Sequence, residues 1–280
     1  MTPLTFPPLP LDSWQPTRDT IRSYAQIIGK VRRAFAPRQK HWWHISLHTT
    51  ATGLTTTPLL AGGLIIELQL DFCDHRLLIS TNQGERLEVP LEGQSPAEFC
   101  TEVCDALAIW HIYPDASLTD FEDDTPGTYE KTAVATFWSA FSQIDAIFKT
   151  FKASLREETS PVQLWPHHFD LAMLWLSGRL IPGQNPTNEE SADEQMNFGF
   201  VTGDGGILEP YFFVTAYPVP EKFTDTPLPA GAYWQTEGWT GAVMPYAVLI
   251  ESDNPQETLL TFLHTAHQAG TNQVGSVSFT

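Results

Sequence analysis

The chain is 280 residues long, 42% hydrophobic and 17% charged, with 33 acidic against 15 basic side chains and a formal net charge of −18. That apolar content excludes a disordered chain, and the lack of any run of about 18 apolar residues argues against a membrane-spanning helix. The negative field argues against nucleic acid as a partner, and three cysteines are too few for a disulfide framework.

The opening MTPLTFPPLP has neither a basic stretch nor an apolar core, so it does not read as a secretion signal. The expected setting is therefore cytoplasmic, with no membrane partner. The charge is unevenly spread. Residues 1–40 hold seven basic side chains (Arg18, Arg22, Lys30, Arg32, Arg33, Arg38, Lys40) against Asp12 and Asp19. Either a basic helix packs on its own acidic body, or that helix carries an anion or partner site.

From Trp14 to Phe35, apolar residues at Ile21, Tyr24, Ile27, Ile28, Val31 and Phe35 mark one face of a helix, which Pro37 ends. Residues 41–50, HWWHISLHTT, alternate Trp43, Ile45 and Leu47 with His44, Ser46 and His48, which predicts a strand. LTTTPLL predicts a second strand. A meander is then expected over 64–72, 76–81 and 85–91, with turns at 73–75 and 82–84. Ser95-Pro96 opens a helix, with Glu98 placed for a capping box. The acidic, Pro-broken segment 113–130 reads as a linker, and a long helix follows over about 131–157. VQLWPHHFDLAMLWLSG (162–178) is strand-like at both ends, and 182–197 is a polar excursion. Strands are expected at 197–203 and 209–218, around a turn at Asp204-Gly205-Gly206. A Pro-rich loop then covers 218–238, Pro245 opens a short helix, and Pro255 starts a last one that runs to about Ala269.

These elements predict an α+β fold of antiparallel sheet with helices packed outside. A single domain, 1–280, is expected, made of halves at about 1–112 and 131–280. Each half runs from a long helix through strands to a closing helix, so a pseudo-twofold internal repeat is expected.

WQPTRDTIRSYAQIIGKVR, HWWHISLHTTATGLTT, DFCDHRLLIST, SPVQLWPHHFDLA with LSGR, and EPYFFVTAYP, in that order, resemble a bacterial domain family of unknown function. The resemblance covers nearly the whole chain and implies a single-domain bacterial protein with no assigned activity. It also implies recurrence of the HWWH, FDLA and EP-aromatic positions. Here these are His41 to His44, Phe169 to Ala172 and Glu209-Pro210-Tyr211. By the same resemblance, small residues replace the His167-His168 pair in other members, which weighs against a role for that pair.

The candidate chemistry follows from imidazoles and carboxylates on two motif segments. His44, Asp170 and Glu209 are the expected catalytic or ligating groups, with Trp43, His168 and Tyr211 as ligand-binding neighbours. His168 and Asp170 lie two residues apart, about 6.6 Å along a strand, close enough to share an ion or hold each other. Hydrogen-bonded core or rim roles are the structural alternative. No motif identifies a cofactor, and whether a metal binds stays open. Gly203–Gly206 lacks the lysine of a phosphate loop, and there is neither a nucleophile elbow nor a zinc-protease motif. Cys100 and Cys104 read as core packing. The preferred function is a small-molecule pocket, binding or catalytic, lined by His and carboxylates. The alternative is a non-catalytic interaction or scaffold protein, using the aromatic loops at 218–246 or the basic first helix. Oligomeric state is left open.

Overall fold

The computed structural model describes residues 5–114, 118 and 120–271. The fold is α+β with two antiparallel sheets. The chain forms two compact units. Among the described residues, one comprises Asp12–Ser142 with Gln163–Phe169, and the other residues 5–11, Gln143–Val162 and residues 170–271.

The first of these is built on α1 (Leu11–Phe35), whose Ile21, Tyr24, Ile27, Ile28 and Val31 are fully buried, as the spacing predicts. The helix stops just before Ala36, because the residue preceding a proline is driven out of helical conformation. The sheet runs β1 (His48–Thr49), β2 (Gly53–Thr55), β4 (Leu64–Asp71), β5 (Arg76–Thr81), β6 (Arg86–Pro90), with β3 (Leu59–Ala61) also on β4. Leu68 pairs with Ile79 and Leu70 with Leu77, so these apolar side chains share one face and are buried. A slip of one residue would turn them all to solvent.

α2 (Pro96–Ala108) begins as expected: the Ser95 hydroxyl accepts from the Glu98 amide at 3.1 Å. It buries Phe99, stacked on Tyr24 at 4.0 Å between ring centroids. An aromatic cluster centres on Phe137 of α3 (Lys131–Ser154), with Trp14, Phe169 and Phe141 at 5.2, 5.5 and 5.0 Å. β8 (Gln163–Trp165) joins the unit through a Leu47–Leu164 bridge.

The other unit is organised on the sheet order β12 (Tyr233–Gln235), β13 (Gly241–Pro245), β11 (Tyr211–Tyr217), β10 (Asp193–Val201), β9 (Asp170–Leu180), β7 (Glu158–Thr159). Its buried face carries Met173, Phe198, Phe212 and Met244. Phe148 and Phe151 of α3 cover it, with Phe151 5.0 Å from Phe198. α6 (Pro255–Thr271) packs on β10 and β11. α4 (Glu189–Ala192) lies within the expected polar excursion, and α5 (Tyr246–Ile250) starts at Pro245 as expected.

Two local expectations are corrected. HWWHI is not a strand: Lys40–Ile45 form a 3-10 turn in which His41 (φ 48°) and Trp42 (φ 59°) are left-handed. Such backbone cannot continue a β ladder, and pairing begins only at Leu47 and β1. β10 starts at Asp193, four residues before the expected strand at 197, and β12 lies inside the segment expected to be loop.

Candidate functional site

The 40–45 turn is held by a buried arginine. Arg32 is only 5% exposed. Its Nε donates to the His44 carbonyl at 3.1 Å, and one terminal nitrogen donates to the Thr56 carbonyl and, at 2.9 Å, to the Thr57 hydroxyl. The other terminal nitrogen lies 3.4 Å from His48 Nε2. Burial brings its pKa down to about 10, so it stays a cation at neutral pH. Its planar fork reaches acceptors from three segments at once, which a lysine ammonium cannot do.

Around the turn the basic residues of α1 meet aromatic rings. The exposed Trp42 is stacked on His44 at 5.6 Å and is faced by the guanidiniums of Arg33 and Arg38 at 5.7 and 5.6 Å. Lys40 lies 5.2 Å from the Trp43 ring. His44 is buried, and its Nδ1 accepts from the Gln39 amide at 3.3 Å. Burial, then the charges of Arg38, Arg33 and Arg32, lower its pKa, so the ring is neutral at pH 7.

Beside the turn is a cavity of about 470 Å³ lined by Gln26, Gly29, Lys30, Arg33, Ile45, Asp120, Phe121, Pro166 and His167. Gln26, Gly29, Lys30 and Arg33 recur at three- and four-residue steps along α1, opposite its apolar stripe. Gly29 lets the Pro166 turn approach closely, since a Cβ there would lie 2.8 Å from Pro166 Cγ. Arg22 donates to the His167 carbonyl at 2.5 Å and ties the same turn to the helix. Lys30 pairs with Asp120 at 2.6 Å. With that pair balanced, Arg33 leaves the lining with a net positive charge. Partial desolvation by the surrounding walls, then His168 and Arg22, push the His167 pKa down and keep the ring neutral at pH 7. Ile45, Phe121 and Pro166 supply apolar wall.

The expected site residues fall in both units. His44 and Trp43 lie on the turn beside the cavity, and the Trp43 indole nitrogen is buried with no hydrogen-bond partner among the described residues. His168 is exposed, its ring 4.3 Å from that of His167. Asp170 and Tyr211 begin strands β9 and β11 of the other unit, and Glu209 lies in the loop just before β11. Leu171, next to Asp170, aligns through Phe200 with Phe212, next to Tyr211, across β9, β10 and β11. Tyr211 donates to Asp204 at 2.6 Å, and burial, then Asp204, raise its pKa. Burial would raise the Asp204 pKa too, but Tyr211 and the Ile207 and Gly206 amides hold it below the ordinary value. That closes the expected turn, with the Tyr211 hydroxyl as its donor to Asp204. Glu209 is exposed.

A family model described as a family of unknown function, DUF5996, matches residues 6–276. The chain belongs to that family. No curated protein and no solved structure matches it significantly. Among the described residues, no group of three His, Cys, Asp or Glu side chains could hold a metal ion, and no helix is long and apolar enough to cross a membrane.

Sequence reasoning missed Gln26, Phe121 and Asp120 as lining residues and gave Pro166 no role. It gave an anion or partner site on the first helix as one of two readings and did not separate Arg32 from Arg33. Arg32 is buried, and only Arg33 of the two faces the cavity.

Proposed function

We propose that the chain binds a small organic anion with an apolar body in the cavity between α1 and the Pro166–Phe169 turn, as a bacterial cytoplasmic protein. The observation that carries this reading is the convergence of Lys30 and Arg33 on one apolar-walled cavity in a chain of net charge −18. A carboxylate or comparable monoanion would meet Arg33, whose planar fork suits two oxygens. Its carbon skeleton would lie on Ile45, Phe121 and Pro166. The volume falls within the range of about 300–1,000 Å³ typical of small-molecule sites. His167, neutral at pH 7, is the group able to take a proton from a bound ligand. His44 acts one step behind, through the turn that carries Ile45 and the Trp42 ring against Arg33.

Calorimetric titration with naphthalene-2-carboxylate and its uncharged carboxamide tests this. The acid is expected to bind one site, with the amide weaker by about tenfold or more, worth about 1.4 kcal/mol. Arg33→Glu, an exposed position, is expected to abolish acid binding and leave the fold intact. Equal binding of acid and amide, or an unaffected Arg33→Glu variant, would contradict the proposal.

The second reading, a protein-interaction surface, is favoured by one observation: the segment 217–239 exposes Tyr217, Val219, Tyr233 and Trp239. It predicts that charge reversal at Arg33 leaves association of the chain with a partner unchanged, while Tyr233→Ser/Trp239→Ser removes it.

A further inference from the structure

The side chains of Cys100 and Cys104 stand one turn apart on α2 and do not line the cavity. Cys100 is buried, with its thiol 3.5 Å from the Leu118 carbonyl, and Cys104 is half-buried. The third cysteine, Cys73, is exposed in a β-turn and belongs to no pair. The two α2 thiols influence each other's ionisation, which is favoured at Cys104 and disfavoured at Cys100. One sulfur is therefore accessible and readily ionised, and the second waits behind it as a protonated thiol.

Two products are open to such a pair, and helix geometry separates them. Side chains four residues apart on a helix have Cβ atoms about 5–6 Å apart. A disulfide needs about 3.5–4.5 Å, so closing one here would require α2 to unwind locally. A larger atom placed between the sulfurs replaces the one S–S bond with two longer bonds and spans the existing gap without moving the backbone.

We propose that Cys100 and Cys104 form a dithiol clamp for a soft thiophilic centre, with trivalent organoarsenicals as the chemical class. The Cys104 thiolate attacks first, forming an As–S bond as one arsenic hydroxyl takes from solvent the proton that Cys104 released on ionising and leaves as water. The Cys100 thiol then gives up its proton to the second hydroxyl, which also departs as water as the second As–S bond forms. Per dihydroxyarsine, two As–S bonds form, two As–O bonds break and two waters leave. Arsenic stays trivalent and neither sulfur is oxidised, so no redox partner is needed.

Phenylarsine oxide on the folded full-length chain is the probe, read by intact mass after desalting. One equivalent is expected on the wild type and on Cys73→Ser, resistant to excess 2-mercaptoethanol and released by 2,3-dimercaptopropanol. Cys104→Ser, at the half-exposed position, is expected to lose the adduct at unchanged circular dichroism. Cys100→Ala should lose it too, but packing makes Cys104→Ser the decisive variant. An adduct that persists in Cys104→Ser, that a monothiol removes, or that never forms on the native chain would overturn the proposal. So would diamide producing a Cys100–Cys104 disulfide with the helical signal unchanged, since that would remove the spacing argument.

Discussion

Arg32 is the residue on which the 40–45 turn depends. It is a buried cation in contact with carbonyls, a hydroxyl and an imidazole nitrogen. Its removal would leave the buried carbonyls of His44 and Thr56 without their donor. Arg32→Ala is expected to destabilise the chain by about 3 kcal/mol, from unsatisfied polar groups rather than lost apolar contact. Arg32→Lys is expected to recover only part of this, because one ammonium cannot fork across the same acceptors. Urea denaturation of both variants checks the order. A neutral effect of Arg32→Ala would mean that the turn does not need its guanidinium. The burial of Arg32 was not legible from its position beside Arg33 in a basic run. It follows from the tertiary turn that the guanidinium caps.

At the level of elements, the legible parts are those governed by local periodicity. The 3.6-residue stripe of α1, the two-residue alternation of β4 and β5, and the Ser95 cap all follow from short spacings that the structure reproduces. The HWWH segment has the right alternation for a strand and yet turns. Left-handed backbone at His and Trp has no sequence signal of the kind glycine or asparagine gives. The cavity was half legible. Lys30 and Arg33 sit on the polar side of a readable helix, but Asp120, Phe121 and Pro166 arrive from distant segments that no local pattern connects to it. Close approach of the Pro166 turn to α1 depends on Gly29. Gly29→Ala, favourable to the helix in isolation by about 1 kcal/mol, is expected to destabilise the protein and weaken naphthalene-2-carboxylate binding, because the added methyl displaces Pro166. Thermal melting with and without the acid checks both effects. A stabilised variant with unchanged affinity would show that Pro166 moves freely.

For the molecule as a whole, pH reports on half-buried imidazoles. His264 and His267 lie on α6 against Phe151, with Trp175 also facing His267. Burial lowers both pKa values; for His267, nearby Glu157 partly offsets this and His264 adds to it. In the unfolded chain these rings titrate near pH 6.5. Below that value the unfolded state takes up protons that the folded state resists. Stability should therefore fall as pH drops from about 6.5 through the depressed folded values, and level off below them. The carboxylates of Glu157, lowered by the Trp175 indole, and Glu194, lowered by Arg179 and Ser177 against its burial, add a second loss at more acidic pH. His267→Gln is expected to flatten the first of these slopes in urea midpoints measured across the pH range, and an unchanged slope would assign it elsewhere.

The central claim concerns where a small anion sits, and amide chemical-shift mapping of the isotope-labelled chain with naphthalene-2-carboxylate reads that position directly. The account predicts shifts that saturate together and cluster at residues 26–33, 45, 120–121 and 167. Shifts centred instead on Asp170, Glu209 and Tyr211, or no saturable shifts at all, would contradict it.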